Sequence, residues 1–375
     1  MTQSWPVLHE GVRRVLRDLI IHGARSRVDL SRKLDVSRAN LSRVTRDLID
    51  LGLVAEGAMQ HVATRGRPAE LLHVVPGAAH FLGVKLTGDH LYAVVTDLAA
   101  TVVAERTEPL IDRRPVAVAD RIAAVADELF LDRTLPAAVG VCLAGTVVER
   151  GGVRLVEQSR FLGWDEAPLA DLLEERMPLP VTVANDVVAL TAAHHWFGAG
   201  VGHDSLVVYG LGAGIGSGVV AFGEVLTGAH GRAGHVGHAR LDAEGRRCEL
   251  GHVDCVHSFV TMGSIAHNAG SAEDDYAGAL AAARSGDPRA VRAFELAARA
   301  LGVTIAEAVN ALDPEKVLVT GEGVDMMELA PEALRAGLSD HLEQVDPATV
   351  IVERPDFSFS HYARGAAISA MRDLV

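Results

Sequence analysis

The chain has 375 residues, 49% of them apolar, with 35 Lys and Arg against 49 Asp and Glu and only three cysteines. This length predicts roughly two or three compact units, no apolar run reaches the about 18 residues of a membrane span, and the N-terminus lacks the charged-then-apolar order of a secretory signal. Three cysteines make no disulfide framework, so a reducing cytoplasm is the expected compartment.

The net charge of −14 is unevenly spread: residues 1–70 carry 12 Lys and Arg against 8 Asp and Glu, a balance of +4, while the remainder carries 23 against 41, or −18. A basic head on an acidic body directs only the head toward a polyanion such as DNA.

The head is predicted as residues 1–76. Val12, Val15, Leu16, Leu19 and Ile20 recur on one helical face, and His22-Gly23 ends that helix. A second short helix fits Arg27–Leu34. Ser37 is a good N-cap for a third, whose buried stripe is expected to be Leu41, Val44, Leu48 and Leu51. Arg38, Asn40, Ser42, Arg43 and Arg46 are left on its other faces. Two helices joined by a tight turn, the second with an Arg/Asn/Ser surface, make a helix-turn-helix, in which Arg addresses guanine and Asn adenine. A small helical bundle with a solvated basic face is the alternative. The segment that follows favours a wing: strands near residues 52–56 and 71–75 flank a basic tip, in which Arg65 and Arg67 surround Gly66 within reach of phosphates or a narrow minor groove.

The body, residues 79–375, alternates strands and helices. Strands are predicted at 81–85, 91–97, 102–105, 137–143, 181–184 and 316–320, and helices at 115–131, 168–176, 187–197, 279–284, 289–312, 331–338 and 363–374. The result is a mixed α/β body, large enough for two lobes with a cleft between them.

Its most unusual stretch runs from Gly210 to His257. Gly210, Gly212, Gly214, Gly216 and Gly218 alternate along an apolar run, so at strand spacing one face is bare backbone. Then come His235, His238, His252 and His257, interleaved with Cys248 and Cys255. Zinc takes four N/S ligands in a tetrahedron. His238, Cys248 and Cys255 supply three of them, and His252 or His257 is left as the fourth. A loop held by packing, with two free thiols, is the alternative.

In order, the winged helix, GVKLTGDH, AND, GLGAGIGSG, AGHVGH, C-x6-C and TGEG resemble the ROK family of sugar kinases and sugar-responsive repressors. The resemblance covers nearly the whole chain and implies the two-lobed, actin-like (ribonuclease-H-like) ATPase fold. It implies that the winged helix marks the regulator branch. Asn185 and Asp186 match the family's sugar-binding Asn and its catalytic base, and Gly163-Trp164 the segment before the sugar pocket. His238 matches a histidine that serves the zinc beside the sugar, and Cys248 and Cys255 match two of three zinc cysteines. Several positions depart from the family pattern. Lys85 stands where an Asp manages magnesium, Ala213 where the glycine hairpin carries Thr, and Leu250 at the middle zinc cysteine. His235 and His257 each stand where the family has Glu.

These departures predict a DNA-binding transcriptional regulator, a repressor, whose body is catalytically inactive, with Asp186 a degenerate base. The body is expected to sense a sugar or sugar derivative through Lys85, Asn185, Asp186, His235, His238 and His257. Neither ATP nor magnesium is expected as a cofactor, and zinc is allowed. The partners are duplex operator DNA and a second copy or copies of the chain, as a homodimer or homotetramer. Two alternatives stand beside it: an active sugar kinase with a DNA-binding appendage, and an effector-independent DNA-binding oligomer. Lys85 is further expected to pair with Asp186 or with an anionic effector.

Overall fold

The computed structural model describes residues 5–60, 69–131, 134–241 and 246–375. It divides into two compact units, one of residues 1–201 with 360–375 and one of residues 202–359.

The first unit opens with α1 (Glu10–His22), which buries Val12, Val15, Leu16, Leu19 and Ile20 on one face. Gly23, at φ 76°, ends it. After β1 (Arg25–Ser26) come α2 (Arg27–Lys33), capped by Ser26, and α3 (Arg38–Asp50), capped by Ser37, whose hydroxyl accepts the Asn40 N–H at 3.3 Å. Leu41, Val44 and Leu48 are buried as predicted, but Leu51 is 45% exposed. The helix ends at that residue and the chain turns through Gly52 (φ 70°), so Leu53, 3% exposed, fills the place instead. β2 (Val54–Gln60) and β3 (Ala69–Val74) pair antiparallel as the wing, and β1 adds a third strand on β3. The expected tip with Arg65 and Arg67 lies outside the described residues. Asp18 of α1, side chain 4% exposed, ties this fold together, with Lys33 at 2.7 Å and Arg25 at 3.0 Å.

The unit continues with β4 (His80–Leu86), β5 (His90–Asp97), β6 (Val102–Pro109), α4 (Pro115–Leu129) and β7 (Ala138–Leu143). A three-stranded sheet follows, of β8 (Thr146–Arg150), β9 (Val153–Ser159) and β10 (Trp164–Ala167), then α5 (Leu169–Arg176), β11 (Val181–Asn185) and α6 (Asp186–Phe197). The main sheet has the order β11-β7-β4-β5-β6, with β4, β7 and β11 parallel and β5 antiparallel to its neighbours. That is the sheet expected of a ribonuclease-H-like fold. The fully buried β7 reads as a continuous apolar run, as a central parallel strand should.

The second unit contains β12 (Leu206–Leu211), β13 (Ile215–Ala221), β14 (Glu224–Val225), α7 (His257–Val260), α8 (Met262–Ala269), α9 (Tyr276–Arg284) and α10 (Pro288–Leu312). β15 (Lys316–Thr320), α11 (Met326–Leu329), α12 (Pro331–His341) and β16 (Val352–Glu353) complete it. Its sheet order is β14-β13-β12-β15-β16. The predicted glycine hairpin is β12–β13, with Gly210 opposite Gly216 and Val208 opposite Gly218. Gly212 and Gly214 form its turn rather than its strands.

The chain returns to the first unit as α13 (Ser360–Leu374), which packs on β4, β7 and α6.

Candidate functional site

On the head, α3 leaves Arg38, Asn40, Ser42, Arg43 and Arg46 all exposed. Arg43 donates to the Asn40 side-chain oxygen at 3.0 Å, so the two are held side by side one helical turn apart. The Ser42 hydroxyl donates to the Arg38 carbonyl at 2.9 Å, and that of Ser37 is taken up by its cap. Arg27 gave no signal in the sequence. It donates to the Thr45 hydroxyl at 3.2 Å and pairs with Glu56, so it fixes α2, α3 and β2 to one another.

A second cluster lies at the carboxyl ends of the parallel strands β4, β7 and β11, where open α/β sheets place their ligands. Lys85 is one residue from the end of β4, and Asn185 ends β11. Leu143 pairs with both Leu86 and Asn185, so the three strand ends are level. The Lys85 ammonium donates to Asp186 Oδ2 at 2.5 Å. Their side chains are 4% and 14% exposed, so this is a buried pair. The other Asp186 oxygen accepts the Val187 N–H at 2.9 Å, where the α6 N-terminus favours a negative charge. Asn185 is equally occupied: its Oδ1 accepts the same N–H and its Nδ2 donates to the Gly145 carbonyl, both at 2.9 Å. The Tyr362 ring lies 4.7 Å from the Lys85 nitrogen. The Cys142 thiol donates to the Tyr362 carbonyl at 3.2 Å, and burial pushes that thiol up to about 12.

The remaining predicted residues belong to the second unit. His238, Cys248, His252 and Cys255 present ligand atoms within 4.8 Å of one another. His238 Nδ1 lies 3.8 Å from the Cys248 sulfur and 3.7 Å from that of Cys255. Zinc bonds of about 2.05 and 2.3 Å at tetrahedral angles put N and S roughly 3.6 Å apart, so the donor set fits such an ion. Cys255 is buried at 1% exposed, Cys248 is nearly so at 9%, and both histidines are exposed. The loop is preformed: the Cys248 N–H donates to the His252 carbonyl at 3.0 Å, and Gly251, at φ 82°, makes the turn between them. Leu250 sits on that turn, 51% exposed, and contributes no ligand.

His257 is not one of the four. Its ring stacks on His238 at 5.3 Å and its Nδ1 faces Glu249 at 3.1 Å. His235 is exposed beside Gly234, whose carbonyl accepts the Ser217 N–H of β13.

Comparison with known proteins fits this geometry. Residues 81–372 match the ROK family. The chain is 27% identical over 318 residues to the DNA-binding transcriptional dual regulator NagC of Escherichia coli K12, covering 80% of this chain and 77% of that one. Among solved structures it is similar to a ROK family transcriptional regulator, a homolog of the E. coli MLC protein, with a TM-score of 0.80 and 26% identity over 96% of this chain and 94% of that one. It also resembles a ROK family glucokinase from Streptomyces griseus in complex with glucose and AMPPNP. There the TM-score is 0.65 and the identity 26%, over 78% of this chain and 99% of the glucokinase. The match to the regulator takes in the head as well as the body, and the chain belongs to the ROK family.

Proposed function

We propose that this protein is a transcriptional repressor that binds duplex DNA through its N-terminal winged helix-turn-helix. Its sugar-kinase-like body senses a sugar or sugar derivative without phosphorylating it. The observation that carries the second half is the buried Lys85–Asp186 pair. A kinase base must accept a proton from the sugar hydroxyl. Here one oxygen of that carboxylate holds an ammonium at 2.5 Å and the other holds a backbone N–H. The same ammonium places a fixed positive charge where magnesium needs a negative environment.

The exposed face of α3 supports the first half. Arg38, Asn40, Arg43 and Arg46 are the groups for base edges and phosphates, and Arg65 and Arg67, outside the described residues, are assigned phosphate or minor-groove contacts from the sequence. Effector contacts in the body are assigned to Lys85, Asn185 and Asp186 in the first unit and, separately, to His235, His238 and His257 in the second. Neutral or charged histidines there suit an acidic or phosphorylated sugar. His238, Cys248, His252 and Cys255 would hold zinc as a structural ion. The protein acts in the cytoplasm as a homodimer or homotetramer, so that two heads read paired half-sites.

Two assays test these assignments. With magnesium, ATP and a broad sugar panel, no sugar-dependent ADP release is expected. Sustained turnover that disappears in Asp186→Asn would overturn the non-enzymatic assignment. In a melting screen, sugars, sugar phosphates or sugar acids should raise the transition temperature. A flat screen across all three classes would favour an effector-independent oligomer.

A further inference from the structure

Helices α6 and α13 share both their ends. α6 begins at Asp186 itself, and α13 begins beside the same ion pair, with the Tyr362 ring 4.7 Å from the Lys85 nitrogen. At about 1.5 Å per residue the two helices run roughly 18 and 22 Å from there. At the far end the Arg372 guanidinium lies 4.7 Å over the Trp196 ring and bonds the His195 ring at 3.1 Å. Both helices therefore lead from the ion pair to Trp196, which is 2% exposed.

The head docks at that end. Arg17 of α1 also lies over the Trp196 ring, 5.8 Å from its centroid, and donates to the Val375 carbonyl at 2.8 Å. Val375 is the last residue of the chain and only 1% exposed. One side chain of the DNA-reading head thus touches the residue that follows α13 and the last turn of α6.

Between the two ends there is no compliant layer. A Cβ on Gly83 of β4 would lie 2.0 Å from the Ala363 carbonyl oxygen, and one on Gly140 of β7 1.9 Å from that of Ala366. On α13 itself, a Cβ at Gly365 would lie 2.6 Å from the Ala189 carbonyl oxygen of α6. Backbone rests on backbone at all three places. A close-packed contact of this kind moves as a unit rather than absorbing displacement in side-chain rotamers.

We propose that α6 and α13 form a strut that carries the state of the Lys85–Asp186 pair to the DNA-reading head, with Arg17 as the positioning residue that receives it. The proposal rests on the regulator function argued above and adds its route. Binding at the pair displaces the N-terminal ends of both helices, and the head feels the shift through Arg17. Arg17 lies on α1, apart from both the Lys85–Asp186 pair and the exposed face of α3, so its effect is read on the setting of α1.

Amide hydrogen exchange on the full-length protein tests this without any effector or DNA. Two perturbations are made at the pair. Tyr362→Leu removes the ring over the ammonium and keeps both charges, and Lys85→Met with Asp186→Leu replaces the pair by apolar groups. Each should speed exchange of the α1 amides about fivefold or more, while α4, packed on α5 and β6, stays unchanged. With Arg17→Met already present, neither perturbation should alter α1 further. The proposal is overturned if either perturbation leaves α1 unchanged, or if the response survives Arg17→Met. Retention of the protein on duplex DNA is scored separately, so loss of coupling and loss of DNA binding cannot be confused.

Discussion

Breaking the buried ion pair from one side should be costly, and removing it whole should not. The gross attraction of unit charges 2.5 Å apart is about 7 kcal/mol at an effective dielectric of ~20. Desolvation of several kcal/mol per ion offsets most of it, so Lys85→Met with Asp186→Leu should fall within about 2 kcal/mol of wild type. Each single change leaves a buried charge without its counterion, at about 3–5 kcal/mol.

The two single changes should also rank. After Lys85→Met the Asp186 carboxylate still accepts the Val187 N–H at the α6 N-terminus, which places it at the low end. After Asp186→Asn the Lys85 ammonium, 4% exposed, has lost its carboxylate, which places it at the high end. For a unit of this size each kcal/mol shifts the transition by ~2–4 °C, so the single variants should melt about 6–20 °C lower. Differential scanning calorimetry of the three variants measures this. A single variant within ~2 °C of wild type, or a double variant as damaged as either single one, would refute the account of a desolvated, mutually compensated pair.

Three further outcomes are expected. Protein purified without added metal or a histidine tag should carry about one zinc per chain. His252→Ala should reduce that content and lower the melting temperature, whereas Leu250→Ala should do neither. Arg43→Ala should weaken specific DNA binding by about 1–3 kcal/mol if it meets a guanine edge, read by fluorescence anisotropy on an operator duplex, with no change in melting temperature. In acid, Glu108 matters: the Arg121 guanidinium, with Arg106, holds its carboxyl below the ordinary 4.5. A depressed value stabilises the fold above the unfolded value and is lost as pH falls through the folded one. Glu108→Gln should therefore lower stability near neutrality and flatten the loss of stability below about pH 4.5.

Much of the fold was legible because its signals are short-range. The stripe Val12, Val15, Leu16, Leu19 and Ile20 sets α1, and Ser37 sets the start of α3 through a bond to an amide three residues on. Alternating glycines marked the β12–β13 hairpin, and continuous apolar runs marked β7 and β15. The short strands β8, β9 and β10 were not foreseen, because strands of four to seven residues with charged exposed faces resemble loops in composition. Leu51 was misplaced by periodicity alone, since a helix face continues in sequence past the residue where the helix itself stops.

The candidate site divides the same way. Sequence named Lys85 and Asp186 as residues out of pattern, and offered each other as one of two possible partners. They are 101 residues apart, and only the order β4, β7, β11 brings an ammonium near the end of β4 to a carboxylate just past the end of β11, on either side of β7. Sequence left His252 and His257 as equal candidates for the fourth metal ligand. The turn at Gly251 brings His252 into the cluster with His238, Cys248 and Cys255, while His257 faces Glu249 and stacks on the His238 ring. Arg17 carried no signal at all: on a basic helix it looks like any solvated arginine, and its partners lie 179 and 358 residues away at Trp196 and Val375. Local caps and periodicities are written in neighbouring residues, so the sequence by itself determines which elements form. Which charges and helix ends meet depends on sheet order and backbone approach, and these exist only once the chain has closed on itself.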